Sequence, residues 1–352
     1  MNVSDTRRPA IPPPGGSRRR LAHCLLALVT AAAVLACGSF PVGAPPPSPT
    51  ATFTDTPTRA PTDTPAPPPG DTPTPEPPTP TATPVPRVER VLIISLDGLR
   101  PDALDPLRTP NILLLATRGA YSWRAQTVLP SATLPAHGSM LSGFDVADHG
   151  LTWNDYIPSY GHILTPTIFT LAHDAGLRTV MVTAKQKLLH CAEPGTLDVF
   201  DYASLGDFAM VERALPHLAA GFGVFLLHLV GPDAAGHNSG WMSSSYLQTV
   251  ANTDIAVGRV LTALQEAGMA ETTLVILTAD HGGHDRGHGT SRAEDTTIPW
   301  IIAGPGVRRG HGLAADVRIQ DTAATAAWAL GLPLPEGMSG RPVLEAFEPA
   351  AR

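Results

Sequence analysis

The stretch that most constrains this chain is 273–288, TLVILTADHGGHDRGH. Residues 274–278 form an unbroken apolar and β-branched run, the pattern of a strand covered on both faces of a sheet. The character then changes within two residues. Asp280, His281, His284, Asp285 and His288 follow, broken by Gly282, Gly283 and Gly287. A carboxylate and an imidazole at the carboxyl end of a buried strand stand where open α/β sheets hold their ligands. One histidine alone is commonly an ordinary loop residue. The cluster mixes carboxylate oxygen with imidazole nitrogen, a donor set that suits zinc, manganese or iron.

Two further runs repeat the design. Residues 88–96 lead to Asp97 and Gly98, and residues 222–230, FGVFLLHLV, lead into Gly231-Pro232-Asp233-Ala234-Ala235-Gly236-His237. Strands are also expected at 178–182 and 298–303, and helices at 110–118, 167–175, 208–219, 244–267 and 323–330. This alternation predicts an α/β fold with a parallel or mostly parallel central sheet and helices on both faces. If the three aspartate-ending strands share one sheet, Asp97, Asp233 and Asp280 gather along one edge with His237 and His281. Carboxylates so close raise one another's pKa unless cations neutralise them. Two divalent ions roughly 4 Å apart are the economical answer, and paired metals are a known arrangement for displacement at phosphorus. In VLPSATLPAH, Pro135 suits the first turn of a helix, which places Thr133 at its amino end, where free N–H groups and the helix dipole favour an anion. A plain helix cap is the simpler job for that threonine, and the two roles are compatible.

The amino terminus has a different character. Arg18, Arg19 and Arg20 precede an apolar run over 25–36 that is short for a membrane-spanning helix, so residues 1–36 read as a signal peptide. Val34-Leu35-Ala36-Cys37-Gly38 resembles a bacterial lipobox with Cys37 as the acylated anchor, an ordinary secretory peptide being the alternative. Export is the expected location, with a membrane tether through lipid on Cys37 or else secretion. Residues 41–86 hold 18 of the chain's 38 prolines among Thr, Ser and Asp, so 37–86 reads as a semi-rigid, disordered linker. The globular part is expected over 87–352, where 18 basic and 26 acidic residues give 18 − 26 = −8. That balance argues against a nucleic-acid polymer as partner. With Cys24 in the signal peptide and Cys37 the anchor, Cys191 stands alone, and no disulfide is available within the domain.

Taken together, ISLDGLRPD, SATLPAHGSMLSG, HGLTWND, GPDAAGH and TADHGG resemble the alkaline phosphatase superfamily, and most closely its nucleotide pyrophosphatase/phosphodiesterase branch. The resemblance runs from Val91 to the sulfatase-like tail QDTAATAAWALGLPLPEGMSGRPV. It implies an alkaline-phosphatase-like fold and a hydrolase of phosphodiester or pyrophosphate bonds that uses two divalent metal ions, zinc first and manganese second, on a small phosphate-ester substrate. It also implies one ion site of Asp233, His237 and a third histidine, and another of Asp97, Asp280, His281 and the Thr133 oxygen. For the third histidine His288 is preferred, since in related members a histidine precedes a strand of the type seen at Thr297; His284 and then His311 are the other choices. Thr133 then attacks phosphorus in line to give a phosphothreonine, and Asn154 donates to a non-bridging oxygen as charge develops there. Without the threonine motif Asn154 reads equally well as a turn residue after Gly150.

Some residues depart from that pattern. The family's usual Thr-Phe-Pro-Asn-His is here Thr133-Leu134-Pro135-Ala136-His137, and His137 and His149 are expected to be structural. Lys185 and Lys187 in TAKQKL resemble a pair that meets the substrate carboxylate in phosphonoacetate hydrolases; two solvated lysines after a strand are the plainer reading. Trp153 and Tyr156 suit either stacking on a nucleobase or filling a loop core. The alternatives are therefore a phosphonoacetate-hydrolase-like enzyme, a phosphomonoesterase, or a non-catalytic tethered binding protein. A sulfatase is disfavoured because its modified Cys or Ser is missing.

Overall fold

The computed structural model describes residues 88–349; the expected signal peptide, the Cys37 anchor and the whole of the expected 37–86 linker lie outside the described residues. The chain enters through β1 (Arg90–Leu96), α1 (Pro110–Arg118), β2 (Ala120–Gln126), α2 (Thr133–Ser142), α3 (Val146–His149) and α4 (Ile168–Asp174). Next come β3 (Thr179–Thr183), β4 (Val199–Tyr202), α5 (Asp207–Ala219), β5 (Val224–Leu229), α6 (Gly231–Ser239), α7 (Ser244–Glu266) and β6 (Thr273–Thr278). The last are α8 (Ala293–Thr296), β7 (Thr297–Ala303), β8 (His311–Gly312) and α9 (Asp321–Ala329).

The strands form one eight-stranded sheet in the order β4-β3-β5-β1-β6-β7-β2-β8. It is the expected mostly parallel sheet, with β7 antiparallel to both β6 and β2. The central strands β5 and β6 are buried at every residue, and β1 at all but Arg90. Their apolar runs therefore need cover on both faces, which the two helix groups supply: α1, α5 and α6 pack with α7, and α2 and α4 with α9.

The sequence reading missed β2, β4 and β8, for a common reason. They lie away from the sheet centre, where one side of a strand carries polar residues, as AYSWRAQ does in β2, and the continuous apolar signal disappears. A further difference concerns GPDAAGH, to which the sequence reading assigned no element. It is the first two turns of α6. Pro232 sits in the first turn, where no N–H is required, and Asp207 from α5 accepts the free N–H groups of Val230 (3.0 Å) and Gly231 (2.9 Å). Gly236 is needed there because a Cβ would lie 2.5 Å from the Trp241 ring.

Sheet register brings the chemistry together. Ser95 of β1 lies opposite His228 of β5 on one side and Thr278 of β6 on the other. Asp97 N–H donates to Leu229 O, and Asp97 O accepts from Asp233 N–H, both at 2.9 Å, so the start of α6 is tied to the end of β1. Gly98 makes that approach possible: its φ is +71°, and a Cβ would fall 2.9 Å from Asp233 Cα.

His149 ends α3 and is fully buried. Its Nδ1 accepts from Leu151 N–H at 3.2 Å, so Nε2 carries the proton to Ser139 Oγ at 3.0 Å. Burial depresses its pKa from 6.5 to about 4. The unfolded chain takes up this proton first, so the stability it contributes is present above pH 6.5 and lost as pH falls toward 4. Between pH 6.5 and 5 the loss at His149 is expected to be about 1.5 kcal/mol. Urea unfolding should show the His149→Gln variant losing about that much less than wild type over the interval.

Candidate metal centre

Because β5, β1 and β6 are neighbours, Asp97 directly after β1 and Asp280 two residues after β6 stand side by side at the carboxyl edge of the sheet. Asp233 joins them from the first turn of α6. Each of the three carboxylates has one oxygen committed. Asp280 Oδ1 accepts from the backbone N–H of Gly98 (3.1 Å) and of His281 (2.9 Å). Asp97 Oδ2 accepts from His228 Nε2 (2.8 Å) and pairs with Lys185 Nζ (2.6 Å), while Asp233 Oδ2 accepts from the same Lys185 Nζ at 2.7 Å. The opposite oxygens, Asp97 Oδ1, Asp233 Oδ1 and Asp280 Oδ2, are buried with no hydrogen-bond partner, and so is His281 Nε2. Four orphaned acceptors at one point are costly unless a cation meets them. The residues therefore fit a bound metal.

The imidazoles are turned for the same purpose. Nδ1 of His281 faces Gly282 O (2.8 Å), that of His288 faces Ser131 O (2.9 Å), and that of His237 faces Arg286 O (3.0 Å). A carbonyl only accepts, so each Nδ1 holds the proton and each Nε2 presents a lone pair. His281 Nε2 is 3.5 Å from Asp97 Oδ1 and 3.4 Å from Asp280 Oδ2. His237 and His288 Nε2 lie 3.3 and 3.7 Å from Asp233 Oδ1. Ligand atoms fall within 4.8 Å of one another in two groups, Asp97 with Asp280 and His281, and Asp233 with His281 and His288. His281 thus belongs to both. His237, its side chain 45% exposed, stands at the rim beside Asp233.

Of the three histidines considered for the last ligand, His288 is the one at the carboxylates. Burial first, and then neighbouring His281, lower its pKa, which keeps it neutral and able to bind metal at neutral pH. His284 is held by Asp295 Oδ1 at 2.7 Å, and His311 by Glu345 at 3.2 Å. Their nitrogens serve loop geometry.

Thr133 is the first residue of α2 and is fully buried, its Oγ1 accepting from Lys185 Nζ at 3.1 Å. Asn154 Oδ1 accepts from Leu134 N–H and from Lys187 Nζ, each at 2.9 Å, so its amide N–H groups face away from those donors. Neither lysine is solvated, contrary to the plainer expectation. The Lys185 side chain is 18% exposed and pairs with the protein's own carboxylates. Burial opposes its charge, but Asp97, Asp233 and Asp280 outweigh burial and raise its pKa. In return, burial of Asp97 is outweighed by Lys185, His228 and His281, which hold that carboxyl well below the usual range. Lys187 is pushed down by burial and by Lys185.

A second layer holds these groups. His137 links Thr133 O (2.8 Å) to Ser95 Oγ (2.8 Å), and burial lowers its pKa to about 4, so it is a neutral strut. Trp153 packs edge-on against Tyr160 and His190, the loop-core alternative. His228 and Asp207 were missed by sequence reasoning, although a histidine inside the apolar run FLLHL is itself a signal that something must pair with it. A cleft of about 1040 Å³ elsewhere on the domain is lined by Arg118, Thr273, Gly304 and Arg309 and includes none of the candidate ligands.

Residues 91–192 match the family model for type I phosphodiesterase / nucleotide pyrophosphatase, and residues 232–332 match the sulfatase model. Among solved structures, murine ectonucleotide pyrophosphatase/phosphodiesterase 5, an inactive form in complex with AMP, has a TM-score of 0.63 at 16% identity, covering 74% of this chain and 100% of that one. A phosphonate monoester hydrolase from Silicibacter pomeroyi scores 0.60 at 17% identity, covering 75% and 78%. These likenesses show the fold. In sequence, the human GPI ethanolamine phosphate transferase 2 catalytic subunit is 29% identical over 288 residues, 75% of this chain and 29% of its own length. Rat ectonucleotide pyrophosphatase/phosphodiesterase family member 3 is 25% identical over 219 residues, 54% of this chain and 24% of its own length. The chain spans less than a third of the length of these curated relatives. Fold and family matches together define an alkaline-phosphatase-like protein. The chain is similar to type I phosphodiesterases / nucleotide pyrophosphatases over residues 91–192 and to sulfatases over 232–332, and hydrolases and phosphotransferases are among the proteins it resembles.

Replacing His288 with Ala should lower zinc affinity by at least the roughly 10–100-fold typical of losing an outer-shell partner, while His284→Ala leaves it unchanged. Chelator competition monitored by absorbance measures both.

Proposed function

We propose that this chain hydrolyses phosphodiester or pyrophosphate bonds with Thr133 as nucleophile and two divalent ions, zinc by preference. The observation that carries the reading is the set of orphaned ligand atoms on Asp97, Asp233, Asp280 and His281, gathered where Lys185 also reaches the Thr133 hydroxyl. Bound divalent ions supply the charge that stabilises a threonine alkoxide and a departing oxygen. Thr133 forms its Oγ–P bond as the bond to the leaving oxygen breaks. Water then forms the new P–O bond as the threonine bond breaks, which restores the hydroxyl. Asn154, turned by its two donors to Oδ1, presents N–H groups to a non-bridging oxygen. His137 holds the Thr133 carbonyl and so the first turn of α2.

A second reading rests on the likeness to the human ethanolamine phosphate transferase over 75% of the chain. An alcohol would then take the phosphoryl group from Thr133 in place of water. The lysine pair Lys185 and Lys187 supports a phosphonoacetate-type substrate as the further alternative.

The test is turnover by the purified, zinc-loaded full chain of an aryl phosphodiester, an aryl phosphomonoester and phosphonoacetate, with and without added ethanolamine or glycerol. A preference for the diester that disappears in Thr133→Ala is the expected result. Phosphoryl alcohol as the main product would move the reading to transfer, and turnover surviving in Thr133→Ala would remove the nucleophile. Asn154→Ala should lower kcat by about 10²–10³-fold with little change in zinc content.

A further inference from the structure

Lys185 is placed unlike any other cation among the described residues. It follows β3, whose Thr183 registers opposite His228 of β5, so the side chain reaches the carboxyl edge from the neighbouring strand. Thr183 Oγ1 fixes the Lys185 backbone, accepting from its N–H at 3.1 Å. The ammonium then makes three contacts: Asp97 Oδ2 at 2.6 Å, Asp233 Oδ2 at 2.7 Å and Thr133 Oγ1 at 3.1 Å. Asp97 and Asp233 belong to different ligand groups. One cation therefore bridges both halves of the centre and the hydroxyl beside them.

The division of oxygens within those carboxylates is the telling detail. Lys185 takes Oδ2 of each, and the orphaned atom of each is Oδ1. Metal at the Oδ1 side and ammonium at the Oδ2 side would draw on the same negative charge through opposite oxygens. Like charges held this close, away from bulk water, repel strongly.

We propose that Lys185 is a resident counter-ion of the metal centre: it holds one carboxylate of each ligand group and the Thr133 hydroxyl in place when metal is absent, and it competes with the ions for those carboxylates. This rests on the two-ion reading. Three buried carboxylates without any cation would be driven apart or protonated, so the lysine keeps the metal-free site assembled. It does so at the expense of metal affinity. Once ions are bound, the ammonium is freed in part from its pairs and remains next to Thr133.

The experiment compares wild type with Lys185→Met in the full chain, using zinc alone as ligand. Two quantities are read: zinc affinity by competition with a chromophoric chelator, and the melting temperature of the metal-free protein. Lys185→Met should bind zinc at least about tenfold more tightly, since a unit charge in contact with the ligand carboxylates is removed. Its metal-free form should melt several degrees lower, because two buried carboxylates lose their partner. Zinc affinity that is unchanged or weaker in Lys185→Met overturns the proposal. If the metal-free variant does not fold, wild type alone decides: acylation of Lys185 by an amine reagent, followed by mass spectrometry against added N-acetyl-lysine as the exposed reference amine, should accelerate on zinc loading. An equal or slower rate overturns the proposal. Two zinc ions in wild type with no gain in the variant would remove the role of Lys185 and leave the two-ion reading standing. Zinc binding by neither protein removes both, and binding by the variant alone supports the competition directly.

Discussion

Mutual repulsion of Asp97, Asp233 and Asp280 is the constraint on which the rest of the structure depends. Parallel strands β5, β1 and β6 deliver these acids to one edge, where they are buried at 0–4% exposure. Water cannot screen them there, so each must find a proton, a donor or a cation. The protein answers with fixed donors for one oxygen of each acid and leaves the other oxygen open. That division turns a destabilising cluster into a receptor for positive charge.

Much of the surrounding packing follows from keeping that division in place. Tyr246 and Trp241 both donate to Gly98 O at 2.9 Å and fix the turn after β1. Asp207, reaching from α5, satisfies the free end of α6 and so orients Asp233; Thr253 of α7 donates to its second oxygen at 2.5 Å. His137, kept neutral by burial, links Thr133 to Ser95, and His228 pairs with Asp97 in the core. Each of these is an outer contact that sets the direction of a ligand atom, the arrangement metal sites use to orient their ligands and tune basicity.

Shared fold and local geometry divide the functional question between them. The fold is shared with a nucleotide pyrophosphatase/phosphodiesterase and a phosphonate monoester hydrolase, and such a scaffold hosts several phosphorus and sulfur reactions. Here Lys185 adds a cation beside the candidate ligand carboxylates and Thr133, and Lys187 grips Asn154, so this edge of the sheet carries more positive charge than the acids and imidazoles alone would give it.

The residues themselves determined the central sheet and the ligand inventory. Buried strands such as LVILT and VFLLHL are unbroken apolar runs, and the acids and imidazoles follow them directly, so hydrophobic patterning and donor chemistry are both local and legible. Strands β2, β4 and β8 were hidden because outer strands lose the two-sided apolar signal, and α6 was hidden because its Gly and Pro satisfy tertiary needs rather than helix propensity. Only the folded chain could decide that His288 reaches the carboxylates while His284 turns to Asp295, and that Lys185 pairs with the protein's own acids rather than with water. The His288 and Lys185 outcomes depend on contacts between residues 48 to 157 apart, which no local pattern encodes.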